Sequence, residues 1–280
     1  MAGRSPRAAI GTSSRRAHWD SVPAAPIPTT HFDCGARDGL APPPVPVSFA
    51  SCYAYAPFGD GPLCEAARAM CARLKEADAH WLARFAVQVW RENTANGHFA
   101  ALFGRDVILV PVPGSRPRTC APWVGERLAW CLKDLDLACA VRPCLRRRHP
   151  VRKSAFAAAG ERPSVLEHYA SFAVERKEAS LGGLAKGRQM RPADGSFHGL
   201  DGRRFRDAGS APRLVLIDDV VTRGRTVLAA AVRLREAFPG CEIRAFALMR
   251  TLGRGELPWR NPDPCEGEVR WLEGDARRIP

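Results

Sequence analysis

Leu214-Val-Leu-Ile-Asp-Asp-Val-Val-Thr-Arg-Gly-Arg-Thr226 is the stretch on which the reading of this chain turns. Its first four residues, Leu214 to Ile217, are apolar without interruption, the pattern of a strand covered on both faces. The run ends in two adjacent carboxylates, Asp218 and Asp219, and passes through a short Thr/Gly turn. An amphipathic segment that reads as a helix follows, over 227–237. Strand, polar turn and helix in that order belong to an α/β sheet, whose ligands bind at the carboxyl ends of its strands.

Each residue of the turn has a physical use. Gly224 can take a positive φ and lets backbone approach a ligand without a Cβ in the way. Thr222 and Thr226 carry hydroxyl donors, and the N–H groups at the start of the next helix favour an anion such as phosphate. Asp218 and Asp219 suit the other end of such a ligand, because carboxylates accept hydrogen bonds from vicinal hydroxyls or hold hydrated Mg²⁺. A sugar phosphate has both features.

With these residues in place, the stretch resembles the phosphoribosyl-pyrophosphate (PRPP) motif of type I phosphoribosyltransferases. Asp218, Asp219, Thr222, Gly224 and Thr226 fall on motif positions, with Arg223 and Arg225 as variants between them. The resemblance implies a doubly wound, mostly parallel sheet. It also implies that the two acids hold the ribose hydroxyls, and a Mg²⁺ through its PRPP complex, while 222–226 wrap the 5′-phosphate. A second apolar strand, Asp106-Val-Ile-Leu-Val-Pro-Val-Pro-Gly-Ser-Arg116, ends in a Pro/Gly turn. In the family the matching turn binds pyrophosphate, which makes Gly114, Ser115 and Arg116 the implied contacts. From residue 105 to 251 the order of elements resembles the ComF-like, competence-associated branch, here without its Cys-x-x-Cys zinc ribbon. That order includes a helix at about 122–136, short strands at 138–144 and 170–174, and a buried strand at 243–249.

The resemblance implies transfer of a phosphoribosyl group to a nitrogenous small-molecule acceptor, with release of pyrophosphate. The alternative is a non-catalytic PRPP- or nucleotide-binding protein serving DNA uptake or regulation, since fold alone does not assign an activity. The connector 140–163 carries Arg142, Arg146, Arg147, Arg148, Arg152, Lys153 and Arg162 against a single acid, Glu161. Three readings of it stay open. In the family such a loop closes over PRPP, which would engage Arg147, Arg148, Arg152 and Lys153. Residues 142–153 could instead contact a nucleic-acid backbone, or form a solvated basic loop.

Composition sets the frame. A chain of 280 residues can hold one sizeable α/β domain with additions, and a net charge of +13 implies affinity for anions. No apolar stretch is long enough to span a bilayer, and no apolar core of a secretory signal stands near the start. The 10 cysteines are irregularly spaced and read as reduced thiols, so a cytoplasmic location without membrane contact is expected. The expected organisation is a disordered basic tail over 1–47 and a helical N-terminal subdomain over 48–104. The phosphoribosyltransferase-like domain follows over 105–251, and an irregular C-terminal arm over 252–280. Within the subdomain, Leu63, Ala66, Met70, Leu74, Ala77, Trp81 and Phe85 predict one helix across 62–91, preceded by a short strand over 51–57. Residues 180–212 read as an exposed connector, and a homodimer is left open.

Overall fold

The computed structural model describes residues 44–117, 122–152, 162–175 and 213–280. Lys153, the tail up to residue 43 and the 180–212 connector lie outside the described residues.

The sheet is built around β6 (Arg213–Val221), the strand that carries the acid pair. It pairs in parallel with β2 (Gly104–Pro111) on one side and with β7 (Glu242–Thr251) on the other. Beyond β2 lies β3 (Ala138–Val141), also parallel. Beyond β7 lies β1 (Val47–Tyr55), parallel to β7. Next comes β8 (Cys265–Leu272), antiparallel to β1, and at the edge β9 (Asp275–Ile279), antiparallel to β8. The seven-stranded mixed sheet has the order β3-β2-β6-β7-β1-β8-β9. The protein is therefore α/β with a mostly parallel sheet.

The unbroken apolar runs have a direct cause, since each central strand is buried on both faces. Leu214 and Leu216 of β6 and Ile108 and Val110 of β2 enter one core; Val215, Ile217, Val107 and Leu109 enter the other. The second core is closed by α1 (Pro62–Glu76), α2 (Ala79–Asn96) and α3 (Val124–Asp134), through Leu74, Leu82, Phe85, Val89, Leu128 and Leu132. The first is closed by α4 (Val165–Ser171) and α5 (Arg225–Ala237), together with a two-stranded antiparallel sheet of β4 (Leu145–Arg147) and β5 (Phe172–Val174).

Between β2 and β6 the winding reverses. Helix α3 carries the chain from β2 outward to β3 on one face, and α5 carries it from β6 toward β7 on the other. The connections leaving these two strands diverge and open a crevice at their carboxyl ends, the usual ligand position in open α/β sheets.

Several sequence expectations are corrected here. The single helix over 62–91 is two helices. Ala77 turns left-handed at φ 55° and ends α1, and the Asp78 carboxylate caps α2 by accepting the N–H groups of His80 (2.9 Å) and Trp81 (3.1 Å). A short aspartate at a helix start satisfies orphan donors and so competes with helix continuation. Residues 48–104 do not stand apart as a helical unit, because β1 lies inside the main sheet between β7 and β8. The 252–280 arm contains a regular hairpin, whose turn has Glu273 at φ 52° and Gly274 at φ 80°, the positive pair that suits a tight two-residue connection. The strand expected over 138–144 stops at Val141. The one expected over 170–174 begins at Phe172, because the Ser164/Glu167 capping box starts α4, which runs to Ser171.

Candidate functional site

Asp218 and Asp219 stand at the carboxyl end of β6, where the strand leaves its two cores and becomes half-buried. The turn is pinned by the acids themselves. Asp219 N–H donates to Asp218 Oδ1 at 2.8 Å, and Val220 N–H donates to Asp219 Oδ1 at 2.7 Å. Burial of its carboxyl and the adjacent charge of Asp219 push Asp218 up to about 7, with Lys75 pulling it back down.

Lys75, in the last turn of α1, donates from Nζ to Asp219 Oδ2 at 2.5 Å. Burial by itself would lower this ammonium; the charge and hydrogen bond of Asp219 outweigh it and hold Lys75 above the usual lysine value. Sequence reasoning missed this residue. It lies 144 positions before its partner, and on α1 it reads as an ordinary solvated charge near a helix C-terminus.

The turn after β6 enters α5 through Gly224, whose φ of 85° is left-handed. A Cβ there would also lie 2.5 Å from Val269 Cγ1 of β8, so conformation and packing both require glycine. No side chain caps α5. Its first N–H groups, those of Arg225, Thr226 and Val227, lack helical partners and point out of the helix start, where an anion is favoured. Thr222 is exposed and its hydroxyl lies 3.1 Å from that of Thr251. The Thr226 hydroxyl lies 3.4 Å from His168 Nε2.

The two arginines of the turn point to a carboxylate of the C-terminal hairpin. Arg225 forks onto Asp275 with contacts of 2.6 and 2.5 Å, and its remaining nitrogen donates to Pro163 O at 3.0 Å. Arg223 reaches the same carboxylate at 3.2 Å. Although burial alone would raise it, these hydrogen bonds hold Asp275 below the usual carboxylate range. Arg225 is thus a structural tie, and its partner Asp275 lies in the C-terminal segment, which carries no sequence motif that marks it.

Gly114, Ser115 and Arg116 follow β2 across the crevice, with Gly114 and Arg116 exposed. Their loop is tied to the basic connector: Gly114 O accepts Arg147 Nε at 3.0 Å, and Ser115 O accepts the Val151 N–H at 2.8 Å. Arg147, expected in a closing loop, sits instead on β4, 5% exposed, with its guanidinium 3.9 Å from the centroid of the Phe172 ring. It contacts the Ser171 hydroxyl and lies 3.1 Å from His168 Nδ1. Burial lowers its pKa to about 10, with the charge of Asp218 acting in the opposite direction. Arg148 and Arg152 are exposed, and Arg146 pairs with Glu175 at 3.3 Å. The basic cluster seen in sequence is therefore divided between an inward tie and a surface.

Among the described residues no group of three or more His, Cys, Asp or Glu side chains is placed to hold a metal ion. The acid pair does suit Mg²⁺ that arrives with phosphate oxygens already on it, since Mg²⁺ keeps several waters and takes one or two carboxylates plus ligand phosphates. Likewise among the described residues, no helix is long and apolar enough to cross a membrane. No protein-family model and no curated protein matches this chain.

Proposed function

We propose that this chain is a type I phosphoribosyltransferase of the ComF-like kind, acting in the cytoplasm on PRPP and a nitrogenous acceptor. One observation carries the reading. An acid pair ends β6, a left-handed glycine leads into an uncapped helix, and both sit at the reversal of winding beside the 114–116 turn. In this reading Asp218 and Asp219 hold the ribose hydroxyls, and the start of α5 with Thr222 and Thr226 takes the 5′-phosphate. The N–H groups of Gly114 and Ser115, with Arg116, take the pyrophosphate. The C1–O bond to pyrophosphate breaks as the acceptor nitrogen forms a bond to C1. The acids face the positive charge that develops on the ribose ring, as in glycosyl transfer, and the 114–116 donors face the negative charge on the leaving group. Bound Mg²⁺ supplies charge neutralisation to the pyrophosphate.

The test is calorimetric titration of PRPP with and without Mg²⁺. Saturable, Mg²⁺-dependent binding that Asp219→Asn removes, while the fold is retained, supports the reading. Equal binding by wild type and variant refutes the site assignment. A second reading, PRPP or nucleotide binding without turnover, draws support from the Lys75–Asp219 ion pair, which a ligand must displace or share. Binding without pyrophosphate release across an acceptor screen of bases and amines would favour it. The exposed Arg148 and Arg152 leave a nucleic-acid contact as a further ligand to test if PRPP does not bind.

A further inference from the structure

Beneath the start of α5 lies a buried polar group that no step of the reaction uses. His168 and Arg147 are each 5% exposed and Ser171 is fully buried. Arg147 binds the carbonyl of Gly114 on one side and reaches His168 on the other. His168 in turn faces Thr226. The chain Gly114–Arg147–His168–Thr226 therefore links the turn after β2 to the turn after β6 from below.

Donor and acceptor rules fix the protons along this chain. A guanidinium only donates, so His168 Nδ1, 3.1 Å from Arg147 Nη2, is the acceptor. The ring is then neutral and its single proton is on Nε2. Burial, helped by the charges of Arg147 and Arg225, lowers the histidine to about 3, which agrees with a ring held neutral. Nε2–H faces the Thr226 hydroxyl oxygen at 3.4 Å, a long hydrogen bond in which histidine donates. Because Thr226 oxygen accepts there, its own O–H is left to donate elsewhere. Thr226 is the second residue of α5, among the N–H groups that have no helical partner.

We propose that His168 is a positioning residue of the anion site: fixed by Arg147 as the neutral Nε2–H tautomer, it turns the Thr226 hydroxyl proton toward a phosphate bound at the start of α5. The proposal rests on reading 222–226 as the phosphate-binding turn. It gives His168 a role through Thr226 and no contact with the ligand itself. Through Arg147 it also couples the placement of the two turns, since one guanidinium holds both Gly114 O and the histidine.

Two measurements on the full chain test this. The first is ¹⁵N NMR of the histidine rings of the ligand-free wild type. A His168 ring protonated on Nε2 that stays neutral through the ordinary histidine range is expected; an Nδ1–H tautomer, or titration near the free value, overturns the proposal. The second is calorimetry with ribose 5-phosphate. His168→Asn keeps an acceptor for Arg147 and loses the donor to Thr226, and should weaken binding about fivefold. His168→Gln, which returns an N–H near the Nε2 position, should recover most of that loss. His168→Asn should have no further effect on a Thr226→Val background. Equal losses in both Thr226 backgrounds overturn the positioning role while the phosphate site stands. Failure of the wild type to bind ribose 5-phosphate overturns the phosphate reading, and the proposal with it.

Discussion

Acid should unfold this protein partly through His168, and the size of the effect follows from its surroundings. The ring is 5% exposed, packed among Arg147 of β4, Arg225 and Thr226 of α5, and its own helix α4. Burial and the two arginine charges lower it from 6.5 to about 3 in the folded chain. The unfolded chain therefore binds a proton that the folded chain refuses throughout that interval. Stability from this residue is complete above 6.5 and is lost as pH falls toward about 3. At roughly 1.4 kcal/mol per unit of pKa, lowering the pH from 7 to 4 removes about 3 kcal/mol. For a domain of this size that is a drop in Tm of roughly 6–12 °C. His168→Gln has no such proton to take up, so its Tm should fall less over the same interval by that amount, carboxylate contributions cancelling between the two. Calorimetric or denaturant unfolding of wild type and variant across the range measures the difference. Parallel curves, or a steeper acid limb in the variant, would refute the placement of a neutral histidine against Arg147.

Other substitutions probe the site from different sides. Gly224→Ala should cost about 2–4 kcal/mol in urea unfolding, combining a left-handed φ of 85° with a Cβ 2.5 Å from Val269 Cγ1; a loss under about 1 kcal/mol would mean that β8 does not cover the turn. Asp275→Asn removes the carboxylate from Arg223 and Arg225, and should lower stability by about 1–3 kcal/mol while tightening ribose 5-phosphate binding, because two loop cations lose their counter-charge. Unchanged phosphate affinity would show that this tie does not compete with the anion. Lys75→Met should shift stability by no more than about 1 kcal/mol, since the lysine side chain is 53% exposed and well screened. Its larger effect should be on Mg²⁺ dependence, with PRPP binding becoming more reliant on the metal once the fixed cation beside Asp219 is gone. The same Mg²⁺ dependence as wild type, read by titration at low and high Mg²⁺, would contradict that.

How far the sequence could be read depended on the range of the interactions involved. Leu214–Ile217 announces a doubly covered strand because both faces must be apolar, and Gly224 announces a left-handed turn because few other residues tolerate one. Helix α3 and strand β7 lie within a few residues of the helix and strand expected at 122–136 and 243–249. The break between α1 and α2 was in principle visible too, in the aspartate at position 78, but the apolar stripe running across it masked the cap. The hairpin β8–β9 was legible in the alternation around Val269 and was obscured by the prolines before it.

By itself the sequence determined the local parts: which runs are strands, where the acid pair ends one, and where glycine admits a left-handed turn. Those features arise from side-chain sterics and periodicity within about a dozen residues. The tertiary structure alone decided that α1 would bring Lys75 onto Asp219, that Arg147 would be buried beneath Gly114 and His168, and that Asp275 would take up Arg225. Partners 21 to 144 positions apart meet only through strand order and helix packing, and the charges themselves carry no mark of which partner the fold will give them.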